Sequence, residues 1–382
     1  MTRHAVLAPS AAHRWLACPP SVRLEQTFSE TQSDYADEGT LCHKVGELIC
    51  RYKLKQITKK LFQQELALHQ KHRLYTETLY DTAEAYSVFV LERYQEALAK
   101  TPDAVLMLEH QVNLTDYIEA GFGTTDALII ADGVLDEIDL KYGKGVLVEA
   151  TGNEQLMIYA LGALRDFDFL YDLQKVRLTI YQPRMDNYDT WEISVEGLRD
   201  WAEHTLVPGA RLAYEGQGEY QAGPHCQFCK AKARCRANHD YQLELAKLDF
   251  ADPDLLTDQE ISQVLTKAAG FKNWLTTVEE YALKQALAGK AWPGYKVVEG
   301  RSNRVYTDEL LILETLTKKG FDRDQLLELI GITKLEKLVG KKQFDQLVGE
   351  YLMKPPGSPT LAKTTDARPA YRSLEAAKKD FS

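Results

Sequence analysis

The 382-residue sequence contains no apolar run long enough to cross a bilayer, and no apolar signal core follows Met1. We therefore expect no membrane partner and a cytoplasmic location. Cysteines number only six, and in a reducing compartment they are more typical of metal ligands or buried thiols than of disulfides. A basic excess is also missing. The net charge of −10 counts modestly against a protein that coats nucleic acid, although a local groove can still be basic.

Alternating stretches of helical and strand-like periodicity fill the first 240 residues. Helices are expected at 41–52, 64–68, 75–98, 151–164 and 197–214. Strands are expected at 104–114, 121–130, 134–141, 176–181 and 190–195. The order predicts an α/β fold with a central mixed β-sheet flanked by helices, followed by a C-terminal helical region. We expect a catalytic domain at 1–240, a mainly helical domain for DNA or partner docking at 241–355, and a Pro-rich extended or disordered tail at 356–382.

Two aspartates are the first candidate site. A two-residue turn at Asp132-Gly133 would place Asp126 directly opposite Asp139 on the neighbouring strand. Like charges at that spacing are destabilising unless a cation such as Mg²⁺ or Mn²⁺ compensates them. Lys141 would share the face of Asp139 and could stabilise charge on a phosphate.

Two predicted helices add polar residues at helical spacing. His43 and Glu47 lie on one face of the first, and Gln155 and Tyr159 on one face of the second. A solvated polar face explains any single strand residue equally well. His43 and Tyr159, each taken alone, are more often core residues.

Four short motifs resemble, in order, those of RecB-like nucleases of the PD-(D/E)XK superfamily: Gly39–His43 for G-x-x-x-H, Gly123–Asp126 for G-x-x-D, Asp139–Lys141 for D-x-K, and Gln155–Tyr159 for Q-x-x-x-Y. The resemblance implies a restriction-endonuclease-like core. It implies metal ligation by His43, Asp126 and Asp139, with Glu47 as a further candidate. It also implies catalysis by Lys141 together with the two aspartates, and DNA positioning by Gln155 and Tyr159.

The segments Ser10–Pro19 and Gly300–Arg304 resemble a phage-encoded family of unknown function, DUF2800, that is assigned to the same superfamily. This resemblance covers nearly the whole chain. It implies a phage protein in the host cytoplasm, with DNA as the partner and phage single-strand-binding or recombination proteins as further candidates.

Three cysteines, Cys226, Cys229 and Cys235, lie within ten residues and would need a fourth ligand to hold zinc or a [4Fe–4S] cluster. The candidates for that ligand are Cys18, Cys42, Cys50 and His225. Spacing alone does not separate zinc from iron–sulfur. The layout resembles that of Cas4- and AddB-type nucleases, which implies Cys18 as the fourth ligand and a structural [4Fe–4S] cluster, with Zn²⁺ as the alternative.

The sequence therefore favours a Mg²⁺- or Mn²⁺-dependent deoxyribonuclease, an exonuclease or end-processing enzyme of phage replication or recombination. It would hydrolyse phosphodiesters with metal-activated water. A non-catalytic DNA-binding or adaptor protein that keeps the fold is the alternative. A zinc-stabilised interaction module is a third interpretation.

Overall fold

The structure is a computed structural model that describes residues 5–28, 34–243, 258–295, 318 and 340–348. It divides into two compact units, Met1–Val297 and Val298–Ser382. The predicted boundary near residue 240 stays a prediction, and the predicted tail and Gly300–Arg304 lie outside the described residues. No helix in the described ranges is long and apolar enough to span a membrane.

The first unit contains ten α-helices among its described residues. They are α1 (Ala12–Ala17), α2 (Ser21–Glu25), α3 (Asp34–Lys53), α4 (Lys59–Gln70), α5 (Glu77–Lys100), α6 (Glu154–Tyr171), α7 (Val195–Trp201), α8 (Val207–Glu215), α9 (Arg236–Leu243) and α10 (Asp258–Leu287). Short 3₁₀ segments lie at Pro9–Ala11, Pro183–Met185 and Pro224–Phe228. The described part of the second unit includes one helix, Lys341–Val348.

Five strands form a single mixed sheet in sequence order. They are β1 (Val105–Asn113), β2 (Phe122–Ala131), β3 (Val134–Leu140), β4 (Lys175–Gln182) and β5 (Asn187–Ser194). The β3–β4 pair is parallel and the other three neighbouring pairs are antiparallel. A parallel pair needs a crossover connection, and α6 supplies it. The prediction of an α/β fold with a central mixed sheet is confirmed at this level.

Both faces of the sheet are covered by helices, so the unit has two cores. On one face α3 and α5 pack against strand residues Ala127, Ile129, Ile138 and Leu140. On the other face α6, α1, α7 and α8 pack against Leu128, Ile130, Leu135, Val176, Leu178 and Ile180. Since β3 is enclosed on both sides, polar groups at its end lie in a setting from which bulk water is largely excluded.

Two predicted elements differ in detail from the structure. The helix expected at 151–164 begins at Glu154, and its N-cap is Asn153, whose side chain accepts a hydrogen bond from the Leu156 amide at 3.2 Å. The helix expected at 197–214 is interrupted by a π-helical turn at Ala202–Leu206 between α7 and α8. Pro208 lacks an amide proton and therefore cannot donate an α-helical bond at the start of α8.

Candidate metal centre and active site

The predicted hairpin register is confirmed. The paired positions of β2 and β3 run from Ala131–Val134 to Ala127–Ile138, so Asp126 and Asp139 are next along the two strands. Asp126 lies one residue beyond the last β2–β3 pair, Ala127–Ile138. One of its carboxylate oxygens accepts a hydrogen bond from the Leu140 amide at 2.7 Å. The other is 2.9 Å from Nδ1 of His43, which α3 contributes.

Lys141 follows the last residue of β3 and joins two of the predicted motifs. Its ammonium donates to Oδ1 of Asp139 at 3.2 Å and to Oε1 of Gln155 at 2.8 Å, and it lies 2.9 Å from Oδ2 of Asp139. The Gln155 amide donates to Oδ1 of Asp139 at 2.9 Å and to the Tyr159 hydroxyl at 3.5 Å. Two of the residues expected for catalysis, Lys141 and Asp139, therefore form one hydrogen-bonded group with Gln155 and Tyr159, whereas Asp126 bonds to His43 and the Leu140 amide instead.

Glu109 of β1 belongs to the site and was missed by the sequence analysis. The β1–β2 pairs skip it, passing from Leu108–Ala127 to His110–Thr125, and its φ of 46° is a left-handed value. Such a conformation is strained for a residue with a side chain, and strain of this kind clusters at functional sites. His43, Glu109 and Asp126 each offer a ligand atom, and these atoms all lie within 4.8 Å of one another.

The donor set of this triad fits a hard divalent cation, because two carboxylates and an imidazole suit Mg²⁺ or Mn²⁺ better than a soft ion. Two predicted ligands are outside the triad. Asp139 is held by Lys141 instead, and the Glu47 carboxylate lies 2.9 Å from a guanidinium nitrogen of Arg51. The structure therefore brings His43 and Asp126 together as expected and adds Glu109 to them, while Asp139 and Glu47 lie outside this group.

Negative charge is concentrated around the triad. Burial, together with the Asp126 carboxylate, raises the pKa of Glu109 to about 7. Glu137 is fully buried on β3, accepts a hydrogen bond from the Thr125 hydroxyl at 3.0 Å, and has its other carboxylate oxygen without a partner. Burial also raises the pKa of Glu137 and of Asp139. A group of acids pushed towards protonation in this way is typical of a site that receives a cation.

Burial by itself lowers the pKa of the two basic residues of the site, His43 and Lys141, whereas it raises the pKa of the acids. Burial alone would lower the pKa of His43, but the carboxylates of Asp126, Asp139 and Glu109 raise it to about 9. Burial likewise opposes the charge on Lys141, while Asp139 and then Asp126 raise its pKa. Lys141 therefore stays cationic next to the acids.

The glycine of the second motif has a packing role. A Cβ on Gly123 would lie 2.5 Å from Cε1 of Tyr159, so the ring occupies the space that a side chain would need. Only glycine allows this close approach of α6 to β2. The second and fourth motifs therefore depend on each other in three dimensions.

The four predicted cluster ligands share one region, although no cysteine belongs to a group that could hold a single ion among the described residues. Burial raises the pKa of Cys226, with further contributions from Cys235 and Cys18 nearby. Burial raises the pKa of Cys229 to about 12. A zinc ion with zinc–sulfur bonds of about 2.3 Å would hold sulfurs about 3.8 Å apart. The arrangement does not show that geometry, and the other two cysteines, Cys42 and Cys50, are buried in α3.

Comparison with known proteins identifies the family of this α/β protein with a candidate metal site. The family described as "Protein of unknown function (DUF2800)" matches residues 4–369, and the chain belongs to that family. A solved structure described as "Crystal structure of SSO0001" is 19% identical, with a TM-score of 0.21, and the match covers 58% of this chain and 95% of that chain.

Proposed function

We propose that the chain is a Mg²⁺- or Mn²⁺-dependent deoxyribonuclease with a PD-(D/E)XK core. One observation carries the proposal. Lys141, tied to Asp139 and Gln155, and the His43–Glu109–Asp126 triad contribute to one network of charges at the end of β3. This combination supports the proposal, because a bound cation and a fixed ammonium can both stabilise the negative charge that grows on a phosphodiester during hydrolysis.

In this mechanism His43, Glu109 and Asp126 would hold the cation. The bound cation would polarise a phosphate oxygen and favour deprotonation of an attacking water. Asp126 is positioned for this by the Leu140 amide, which fixes one of its oxygens and directs the other towards His43. Glu109 completes the triad from β1 and is held there by its left-handed backbone.

Lys141 is the residue that would meet the charge of the substrate. Its ammonium is oriented by Asp139 and Gln155, so little reorganisation is needed when negative charge grows on the phosphate. Gln155 and Tyr159 lie one turn apart on α6 and support a DNA strand beside that ammonium.

The wider setting of the enzyme follows from the family resemblance. We propose DNA as the substrate and a cytoplasmic role in phage replication or recombination, with single-strand-binding or recombination proteins as partners.

We also propose that Cys18, Cys226, Cys229 and Cys235 hold a structural [4Fe–4S] cluster, with Zn²⁺ as the alternative. Protein purified without oxygen would then be brown with the cluster and colourless with zinc.

The test is digestion of end-labelled single-stranded and double-stranded DNA with Mg²⁺ or Mn²⁺ and with a chelator. Cleavage should require the cation and should fall by at least about a hundredfold in Lys141→Ala, since the loss of one charge-stabilising group costs roughly 10²–10³ in rate. Lys175→Ala is the matched control, because this exposed lysine pairs with Glu192 near the start of β4, away from the site.

Full activity of Lys141→Ala in protein free of contaminating nuclease would refute the mechanism. DNA binding without any cleavage by the wild-type chain would favour the non-catalytic adaptor instead.

A further inference from the structure

The loop between β3 and α6, residues 141–153, links the two halves of the candidate active site. It begins with Lys141 and ends two residues before Gln155. The stretch 143–147 within it is exposed at every position. The Lys141 amide donates to the Tyr181 carbonyl at 2.9 Å, next to the Gln182 side chain that bonds Gly143 and Val146, so the stretch and Lys141 lie at the same end of the sheet.

Gln182, at the end of β4, fixes the loop. Its side chain is 1% exposed and makes four hydrogen bonds. The amide donates to the carbonyls of Gly143 at 3.2 Å and Val146 at 2.8 Å. Its oxygen accepts from the Val148 amide at 3.1 Å and from the side chain of Asn187 at 3.2 Å. A loop with its backbone bonded in this way to a buried side chain keeps one shape.

The fixed loop holds two apolar side chains in solvent. Val146 is 42% exposed and Leu147 is 53% exposed, whereas Val148 packs against the core. A single exposed aliphatic residue needs no explanation, but here two adjacent ones stand on a hydrogen-bonded loop at the end of the sheet that carries Lys141. The neighbouring Lys144 is also exposed and adds a positive charge.

We propose that residues 144–147 form a wedge that contacts the DNA strand next to the cleaved phosphate. Val146 and Leu147 pack against the apolar face of a base, as aliphatic wedges do elsewhere, and Lys144 contacts a backbone phosphate. Val146 is five positions after Lys141, so their Cα atoms lie within about 17 Å of each other. This inference rests on the proposed function, because it names how the same site holds its substrate.

A pair of double variants tests the wedge. Val146→Ser with Leu147→Ser removes its apolar surface and leaves its backbone bonds in place. Phe169→Ser with Leu170→Ser is the matched control, since these residues are 79% and 61% exposed at the far end of α6. That end lies about 21 Å from Gln155 along the helix.

Both double variants are made with and without Lys141→Ala. Binding of a fluorescein-labelled single-stranded oligonucleotide is measured by anisotropy in the Lys141→Ala background, which leaves the probe intact. The wedge variant should bind about tenfold more weakly and the control should bind as well as the unaltered chain, because the apolar surface that two aliphatic side chains bury against a base contributes about that much. A 2-aminopurine base in the probe should brighten on binding to the chain with the intact wedge and not to the wedge variant.

The outcomes separate the two proposals. Equal binding and equal 2-aminopurine signals for the wedge variant and the control would overturn the wedge, while cation-dependent cleavage by the chain with Lys141 intact would still stand. Weaker binding confined to the wedge variant supports the wedge, even if the same chain cleaves nothing. If neither double variant binds less and an intact Val146–Leu147 pair is needed only for capture of another protein, the surface serves a partner and the wedge is refuted.

Discussion

Gly39 lies one helical turn before His43 in α3, and a Cβ placed on it would meet no atom within 4 Å. Glycine inside a helix costs about 1 kcal/mol relative to alanine. The residue thus leaves open space beside the candidate metal ligand at a cost in stability. This combination is expected where a substrate backbone must come close to the helix.

Gly39→Ala should raise the free energy of unfolding by about 1 kcal/mol and lower DNA cleavage. Gly270→Ala is the matched control, because Gly270 of α10 also has nothing within 4 Å of its Cβ position. Urea unfolding and cleavage rates measured in parallel check both effects. A Gly39→Ala variant that is stabilised and fully active would show that the open space has no role in substrate binding.

The buried carboxyl of Asp136 should make the stability of the fold depend on pH. Burial raises its pKa to about 6, although Arg93 and Arg177 oppose the shift. The folded state therefore holds more protons than the unfolded state between about pH 4 and 6, and stability falls as pH rises through that window. Between pH 4 and pH 7 the free energy of unfolding of the wild type should fall by about 3 kcal/mol through this group. Asp136→Asn lacks the titrating carboxyl and should not show this fall. The free energy of unfolding of both proteins is measured by denaturation at pH 4 and at pH 7. If it changes by the same amount in the wild type and in Asp136→Asn, the assignment to Asp136 is contradicted.

Helix α6 is the element that brings the candidate site together, because its first turn carries Gln155 and its second carries Tyr159. Asn153 caps that first turn by accepting the Leu156 amide. Ser194 caps α7 in the same way, accepting the Gly197 amide at 3.0 Å. The two caps are chemically alike and differ in their distance from the site along the chain.

Asn153→Ala and Ser194→Ala should each lower the free energy of unfolding by about 1 kcal/mol. Only Asn153→Ala should also reduce DNA cleavage, since fraying of α6 would release Gln155 from Asp139 and Lys141. Unfolding by urea and initial cleavage rates give the comparison. Equal activity of the two variants would mean that the position of Gln155 does not limit the reaction.

The elements of the sheet were predictable because their signals are local. Asp132-Gly133 specified the turn, and the turn specified the register that places Asp126 beside the end of β3. Glu109 was not predictable, since its place in the site comes from a skipped pair and a left-handed φ that leave no periodic trace. Glu137 was missed for a related reason: alternation describes exposed faces, and β3 is buried on both.

At the scale of the whole molecule, a buried ion pair joins distant parts of the first unit. The Glu25 carboxylate lies 2.7 Å from the Arg14 guanidinium and accepts a hydrogen bond from the Lys230 amide at 2.7 Å. This contact brings α1 and α2 to the loop that carries three of the cysteines. The loop is therefore positioned by protein groups as well as by any metal that its thiolates hold.

Glu25→Ala should lower the free energy of unfolding by roughly 3–5 kcal/mol, because it leaves a buried guanidinium without its partner. Asp34→Ala is the comparison, since the Asp34–Arg73 pair is exposed to solvent and its loss should change the free energy of unfolding far less. Urea denaturation of both variants measures the difference. A loss of less than 1 kcal/mol in Glu25→Ala would show that the contact does not hold the ends of the unit together.

The most direct test of the account is the number of Mn²⁺ ions that the full chain binds, measured by electron paramagnetic resonance of free Mn²⁺ during a titration. The account predicts a site in the wild type that is lost in Asp126→Ala and in Glu109→Ala. The site should be kept in Glu192→Ala, which removes an exposed acid paired with Lys175 and Arg177. Unchanged Mn²⁺ binding in the folded Asp126→Ala and Glu109→Ala variants would contradict the metal centre on which the proposed nuclease depends.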